Sequence, residues 1–158
     1  MAYERSIISC PSSVLEEGEK YASILDKALL STGWTKCITS PIYYHVIHFG
    51  GVSALTVSSI EIMDTDVEVL IRGELVTESE SEEEVAGEIR KIKTRDPEGM
   101  LEETPCAVTM IHRHKYEGRE ISHIHFICST ASLIHRSENI ERILRGIRRI
   151  VDKYVIRE

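Results

Sequence analysis

From Thr35 to Ser129 the sequence sets β-rich runs between short turn signals: Gly50-Gly51, Asp64-Thr65-Asp66 and Glu117-Gly118. Links this short make neighbouring strands antiparallel, because a parallel pair needs a crossover of about a dozen residues or more. Thr35 to Phe49 reads as a β-branched and aromatic run that Pro41 marks as an edge or a bulge. Gly50-Gly51 suits a two-residue turn, since both residues reach positive φ without cost. Val52 to Ile62 and Val67 to Leu75 then continue a three-stranded meander, with Ile60 and Ile62 expected across from Val69 and Val67. Cys106 to His114 and Glu120 to Ser129 form a second hairpin around Glu117-Gly118.

Helices punctuate these strands. Ser13-x-x-Glu16 has capping-box spacing, and Val14, Gly18, Tyr21, Leu25 and Ala28/Leu29 recur behind it at helical intervals, with Gly33 placed to end the helix. A short strand, Arg5 to Cys10, precedes it and stops at Pro11. Ser81-x-x-Glu84 is a second capping box, opening a helix whose inner face is Val85, Ile89 and Ile92. Arg95 to Thr104 reads as a surface loop around Asp96-Pro97-Glu98-Gly99. The last helix runs from about Glu138 to Val155, with Ile140, Ile143, Leu144, Ile147, Val151 and Tyr154 on one face. The order β-α-β-β-β-α-β-β-α predicts an α+β fold: a mostly antiparallel sheet with helices on one face, ferredoxin-like or a related two-layer sandwich.

The 158 residues suit a single α+β domain spanning 1–158, with 42% hydrophobic and 28% charged residues marking a globular chain. No run approaches the roughly 18 apolar residues of a membrane helix, and Met1 to Ser9 has no signal-peptide h-region. The expected location is the cytoplasm, without membrane partners. Glutamine is absent and Asn139 is the one asparagine, a depletion of labile amides that points to a heat-adapted prokaryote. Cys10, Cys37, Cys106 and Cys128 have no C-x-x-C spacing, so they read as buried small hydrophobes, with a disulfide as the rarer cytosolic alternative.

Net charge is −7, yet Arg136 to Glu158 holds seven Arg and Lys against four Asp and Glu. An acidic chain with a basic final helix disfavours nucleic acid and favours self-association or an acidic partner. On that helix Arg142, Arg145, Arg149 and Lys153 form a stripe opposite the apolar face. Its ordinary reading is a solvated helix back; its functional reading is binding of a phosphate-bearing ligand, or of the acidic tract Glu78 to Glu84 of another copy. With 6% aromatic residues there are few platforms for stacking RNA bases.

The sharpest feature is a pair of H-x-H motifs, His112-Arg113-His114 and His123-Ile124-His125. Residues two apart on a strand share a face. A two-residue turn at Glu117-Gly118 sets His112 opposite His123, with His114 and His125 on the diagonals, so four imidazoles crowd one face. The cofactor this implies is a divalent transition metal such as zinc, held by His112, His114, His123 and His125. A one-residue change in the turn would part the two pairs. The ordinary reading is a polar hairpin surface, and a third is acid–base work by groups that titrate near neutrality. Glu120 is a candidate carboxylate helper. His45 and His48, three apart, face opposite ways on a regular strand, and His135 follows the last strand.

The segment Glu17-Gly18-Glu19 through Asp26, Ala28-Leu29-Leu30 and Gly33 resembles the first helix of pyruvoyl-dependent arginine decarboxylases, over about twenty residues. The resemblance implies self-cleavage at a Ser-Ser bond to make a pyruvoyl group, which here would be Ser58-Ser59, one hairpin later than that family places it. Patterns for dinucleotide binding, phosphate loops, serine hydrolases and H-E-x-x-H metalloproteases are absent. The leading expectation is a homo-oligomeric binding or regulatory module; the alternative is a metalloprotein or metalloenzyme built on the four-histidine hairpin, and whether the chain is an enzyme stays open.

Overall fold

A computed structural model describes residues 20–21, 23–25, 32–37, 43–50, 56–64, 68–130 and 135–156. Among them lie strands β1 (Thr32–Cys37), β2 (Tyr43–Gly50), β3 (Val57–Asp64) and β4 (Val69–Glu78), a 3-10 turn at Ser79–Ser81, and helix α1 (Glu82–Arg90). A two-residue ribbon of β5 (Thr94–Arg95) and β6 (Glu102–Glu103) follows, then β7 (Cys106–Tyr116), β8 (Arg119–Thr130) and helix α2 (Arg136–Tyr154). Six strands form one sheet in the order β1-β2-β3-β4-β8-β7, every neighbouring pair antiparallel. The protein is thus a mixed α/β chain around an antiparallel sheet. The expected strand at 5–10 and the capping box at 13–16 lie outside the described residues, although 20–21 and 23–25 are helical.

Several expectations are corrected. Thr35 to Phe49 is two paired strands, so the meander has four members, and Gly33 belongs to β1 instead of ending a helix. Gly50 pairs with Val57, leaving a six-residue link where Gly50-Gly51 suggested a tight turn. Ile60 stands across from Gly73 and Ile62 from Ile71, four positions from the expected register. A shift of four is even, so both isoleucines keep their face; side-chain alternation fixes the face before it fixes the partner. The 95–104 loop is the β5–β6 hairpin, in which Met100 and Leu101 amides donate to Asp96 Oδ1 at 2.8 and 3.2 Å. A ferredoxin-like sandwich interleaves two β-α-β halves, whereas β1 to β4 here lie side by side and the β7–β8 hairpin joins through β8.

The core covers one face of the sheet. Ile60 and Ile62 of β3, Val69, Ile71 and Leu75 of β4, and Ile124, Phe126 and Cys128 of β8 alternate inward. They meet Val85 and Ile89 of α1, Ile92 beyond it, and Ile140, Ile143, Leu144, Ile147 and Val151 of α2. Each such side chain contributes roughly 1.5–3 kcal/mol on burial. Gly73 belongs to this face without a side chain: a Cβ there would lie 2.9 Å from the Phe126 ring, so its absence lets the ring settle on the backbone.

Asn139 is buried and works as a clamp. Its Oδ1 accepts the Arg95 amide at 2.9 Å, and its Nδ2 donates to the Arg95 carbonyl at 3.0 Å. The β5–β6 ribbon is thereby tied to α2 by both backbone groups of one residue.

The cysteine expectation also changes. Cys106 and Cys128 face each other across the β7–β8 ladder and are joined by a disulfide. The pairing was not readable from spacing because it depends on register over 22 residues. Among the described residues no helix is long and apolar enough to cross a membrane.

Candidate metal centre

The β7–β8 turn is two residues, Glu117 at φ 50° and Gly118 at φ 79°. Positive φ at both positions is the type I′ geometry, whose twist matches that of the flanking strands. Tyr116 therefore pairs with Arg119 and His112 with His123, the register that a Glu117-Gly118 turn dictates. Farther along, β7 bulges between Val108 and Met110, beyond the histidines.

Alternation then sends the histidines to the sheet face that carries no helix. Their neighbours on the opposite face, Ile124 and Phe126, are core residues. The His112 ring stacks on His123, centroids 4.7 Å apart and planes within 12°, and lies 5.9 Å from His114 and 5.3 Å from His125. The His114 and His123 rings are 4.5 Å apart, with Nε2 to Nε2 at 3.1 Å. All four predicted residues are brought together.

His123 is the hub. It lies on the interior strand β8, between Val76 of β4 and His112 of β7, and is 4% exposed. Its Nδ1 is in hydrogen-bond contact with Oε1 of Glu74 on β4. A proton on Nδ1, donated to that carboxylate, leaves Nε2 with its lone pair turned toward His114. Glu74, His112 and His123 each present a ligand atom within 4.8 Å of the others. His125 Nε2 is buried and has no hydrogen-bond partner among the described residues.

Glu74 is the residue that sequence reasoning missed. It precedes His123 by 49 positions and reaches it only because β4 and β8 pair across the α1 crossover. Glu120, the carboxylate favoured from the sequence, stands across from Lys115, and alternation puts it on the helix-bearing face with Ser122. His45 and His48 occupy register positions opposite Ile62 and Ser59, of opposite parity as their spacing requires. His135 belongs elsewhere: its ring covers Gly99, whose Cβ would meet Nε2 at 2.8 Å, and its Nδ1 is 3.7 Å from Glu138.

A cleft of ≈ 380 Å³ opens beside the cluster, lined by Ser59, Glu61, Arg72, Glu74, Thr109 and His125 among others. Arg72 Nε donates to Glu61 at 2.8 Å within it. Ser58 and Ser59 lie inside β3; Ser58 is buried with its Oγ accepting the Val76 amide at 3.0 Å, while Ser59 is the residue that reaches the cleft.

The hairpin is held from behind. Arg113, between the two ligand candidates, points to the helix side and grips buried Glu82 through two guanidinium nitrogens, Nε at 2.8 Å and Nη2. Ser122 Oγ donates to the same carboxylate at 2.8 Å. The Arg113 hydrogen bond holds the Glu82 carboxyl below its ordinary range, against the opposing effect of burial. The Ser81 side chain makes no cap hydrogen bond, so the expected capping box does not form; the helix start is tied down through Glu82 instead.

Comparison with known proteins gives no match to a family model, a curated protein or a solved structure.

Proposed function

We propose that this protein binds one divalent transition-metal ion on the helix-free face of its sheet, through His112, His114 and His123, the His114 ring closing on the Glu74–His112–His123 cluster as the ion binds and Glu74 orienting His123. The single observation that carries the reading is His123, which contacts a carboxylate through Nδ1 while Nε2 stands 3.1 Å from the Nε2 of His114. Zinc–nitrogen bonds of about 2.0–2.1 Å in a tetrahedron put two ligand nitrogens roughly 3.3 Å apart. A carboxylate on the far nitrogen fixes the tautomer and raises the basicity of the metal-binding one. Three imidazoles and no thiolate suit zinc, with nickel, copper and iron as competitors.

Three protein ligands leave a coordination position open. Facing the cleft, that position would hold a water acidified to a pKa of about 7, the nucleophile of hydrolytic zinc sites. His125 and Arg72 line the same cleft and would meet the polar end of a substrate there. The alternative of a homo-oligomeric module joined through complementary acidic and basic segments has less support. Glu78 already pairs with Arg119, Glu82 with Arg113, and Glu84 accepts from the Tyr154 hydroxyl at 3.0 Å, so much of the acidic tract is used within the chain.

Elemental analysis of untagged protein purified without chelators tests the reading, beside a folded His112→Ala/His123→Ala variant. About one metal per chain, lost in the variant, is expected. Equal trace metal in both proteins overturns it.

A further inference from the structure

The basic stripe of α2 does not stand alone in the fold. Ile92, just past α1, inserts against Gly146 of α2, where a Cβ would sit 2.8 Å from the isoleucine Cγ1. This close approach sets Lys91 and Lys93 beside Arg142, Arg145 and Arg149. The five cations line one concavity of ≈ 300 Å³, with Ile92 as the apolar lining. Lys153, predicted from the helical wheel to share the stripe, lies outside it, with its Nζ 5.1 Å from the Tyr154 ring centroid.

Five of the chain's 19 Lys and Arg converge here on a protein of net charge −7, and among the described residues few carboxylates answer them. Arg142 Nε is 3.4 Å from Glu138, and Lys93 is 3.6 Å from Glu102 at an exposed position. Arg145 feels the field of Glu141, whose hydrogen-bonding partner is Lys20. Lys91 and Arg149 have no ion-pair partner among the described residues. Like charges held together at this density repel, and a bound polyanion relieves the repulsion. At the end of α1 the Lys91 amide donates to the Gly87 and Glu88 carbonyls at 3.2 Å and the Ile92 amide to the Ile89 carbonyl at 3.3 Å.

We infer that this concavity is a binding site for a small polyphosphate-bearing ligand, held by Lys91, Lys93, Arg142, Arg145 and Arg149. Arginine forks read phosphate oxygens in pairs, while the lysines act as point charges on either side. The volume accommodates linked phosphates, whereas no aromatic side chain is among the residues lining the concavity to stack a nucleic-acid base. The site is independent of the metal centre, which occupies the other face of the sheet.

Calorimetric titration of metal-free, chelator-dialysed protein with inorganic pyrophosphate and tripolyphosphate tests this. Tripolyphosphate should bind more tightly than pyrophosphate, and both more weakly as salt screens the site. Arg145→Ala/Arg149→Ala should weaken binding by about tenfold or more, and Lys153→Ala should leave it unchanged. Gly146→Ala removes no charge but pushes Ile92 and its flanking lysines outward, so it should weaken binding several-fold. Absence of binding at low salt, or an equal loss in Lys153→Ala, overturns the proposal, as does tighter binding of a single-stranded RNA oligomer than of tripolyphosphate.

Discussion

At the residue scale, the determinants of the site are carboxylates placed by pairing, not by sequence proximity. Glu74 orients His123 from the neighbouring strand, and Glu82 anchors Arg113 from the other side of the sheet. The Glu82 carboxyl is held below its ordinary 4.5 by Arg113. A depressed carboxylate contributes stability that is complete above the unfolded value and is lost as pH falls through the folded one. The wild type should therefore lose stability faster than Glu82→Gln from about pH 4.5 downward, while the variant costs about 1–3 kcal/mol at neutral pH. Urea midpoints measured against pH in both proteins check this, and parallel slopes below pH 4.5 would contradict it. The histidines were legible in the sequence as a spacing; their carboxylate partner was not, because Glu74 has no local signal that separates it from any other strand glutamate.

At the scale of elements, the hairpin carries the register on which the site depends. Glu117-Gly118 was readable as a two-residue turn, and with it the pairing of His112 with His123. The earlier turns misled in different ways: Gly50 pairs with Val57 and not across a two-residue turn, while the chain does reverse after Asp64 but in a register four positions from the expected one. Glycine allows a turn; apolar alternation along the paired strands decides where it falls. The β5–β6 ribbon was invisible because Asn139, 44 residues from Arg95, holds it. Glu117 itself is ill-suited to its φ of 50°, which asparagine tolerates far better. Glu117→Asn should stabilise the protein by about 0.5–1 kcal/mol and raise Tm by roughly 1–4 °C. A fall in Tm on thermal melting would show that the turn is not a constraint on the hairpin.

At the scale of the whole molecule, the sheet separates two chemistries. One face is covered by α1, α2 and the helical residues near Tyr21, and its outer helix surface gathers the cationic concavity. The other face carries the imidazoles and the cleft. Fold class and the helix-on-one-face arrangement followed from hairpin spacing and helical periodicity, which are local. Strand order, the approach of Glu74 to His123 and that of Lys91 and Lys93 to α2 depend on contacts between distant segments, for which one sequence holds no signal. Lys91 and Lys93, flanking buried Ile92, were thus not linked to α2 until Gly146 brought them together. X-ray absorption at the zinc edge of protein loaded with one equivalent tests the metal site on the imidazole face most directly. Three imidazole nitrogens at about 2.0–2.1 Å and one oxygen donor, in four-coordinate geometry, are expected. Six-coordinate oxygen-rich zinc, or a shell with fewer than two imidazoles, would contradict it.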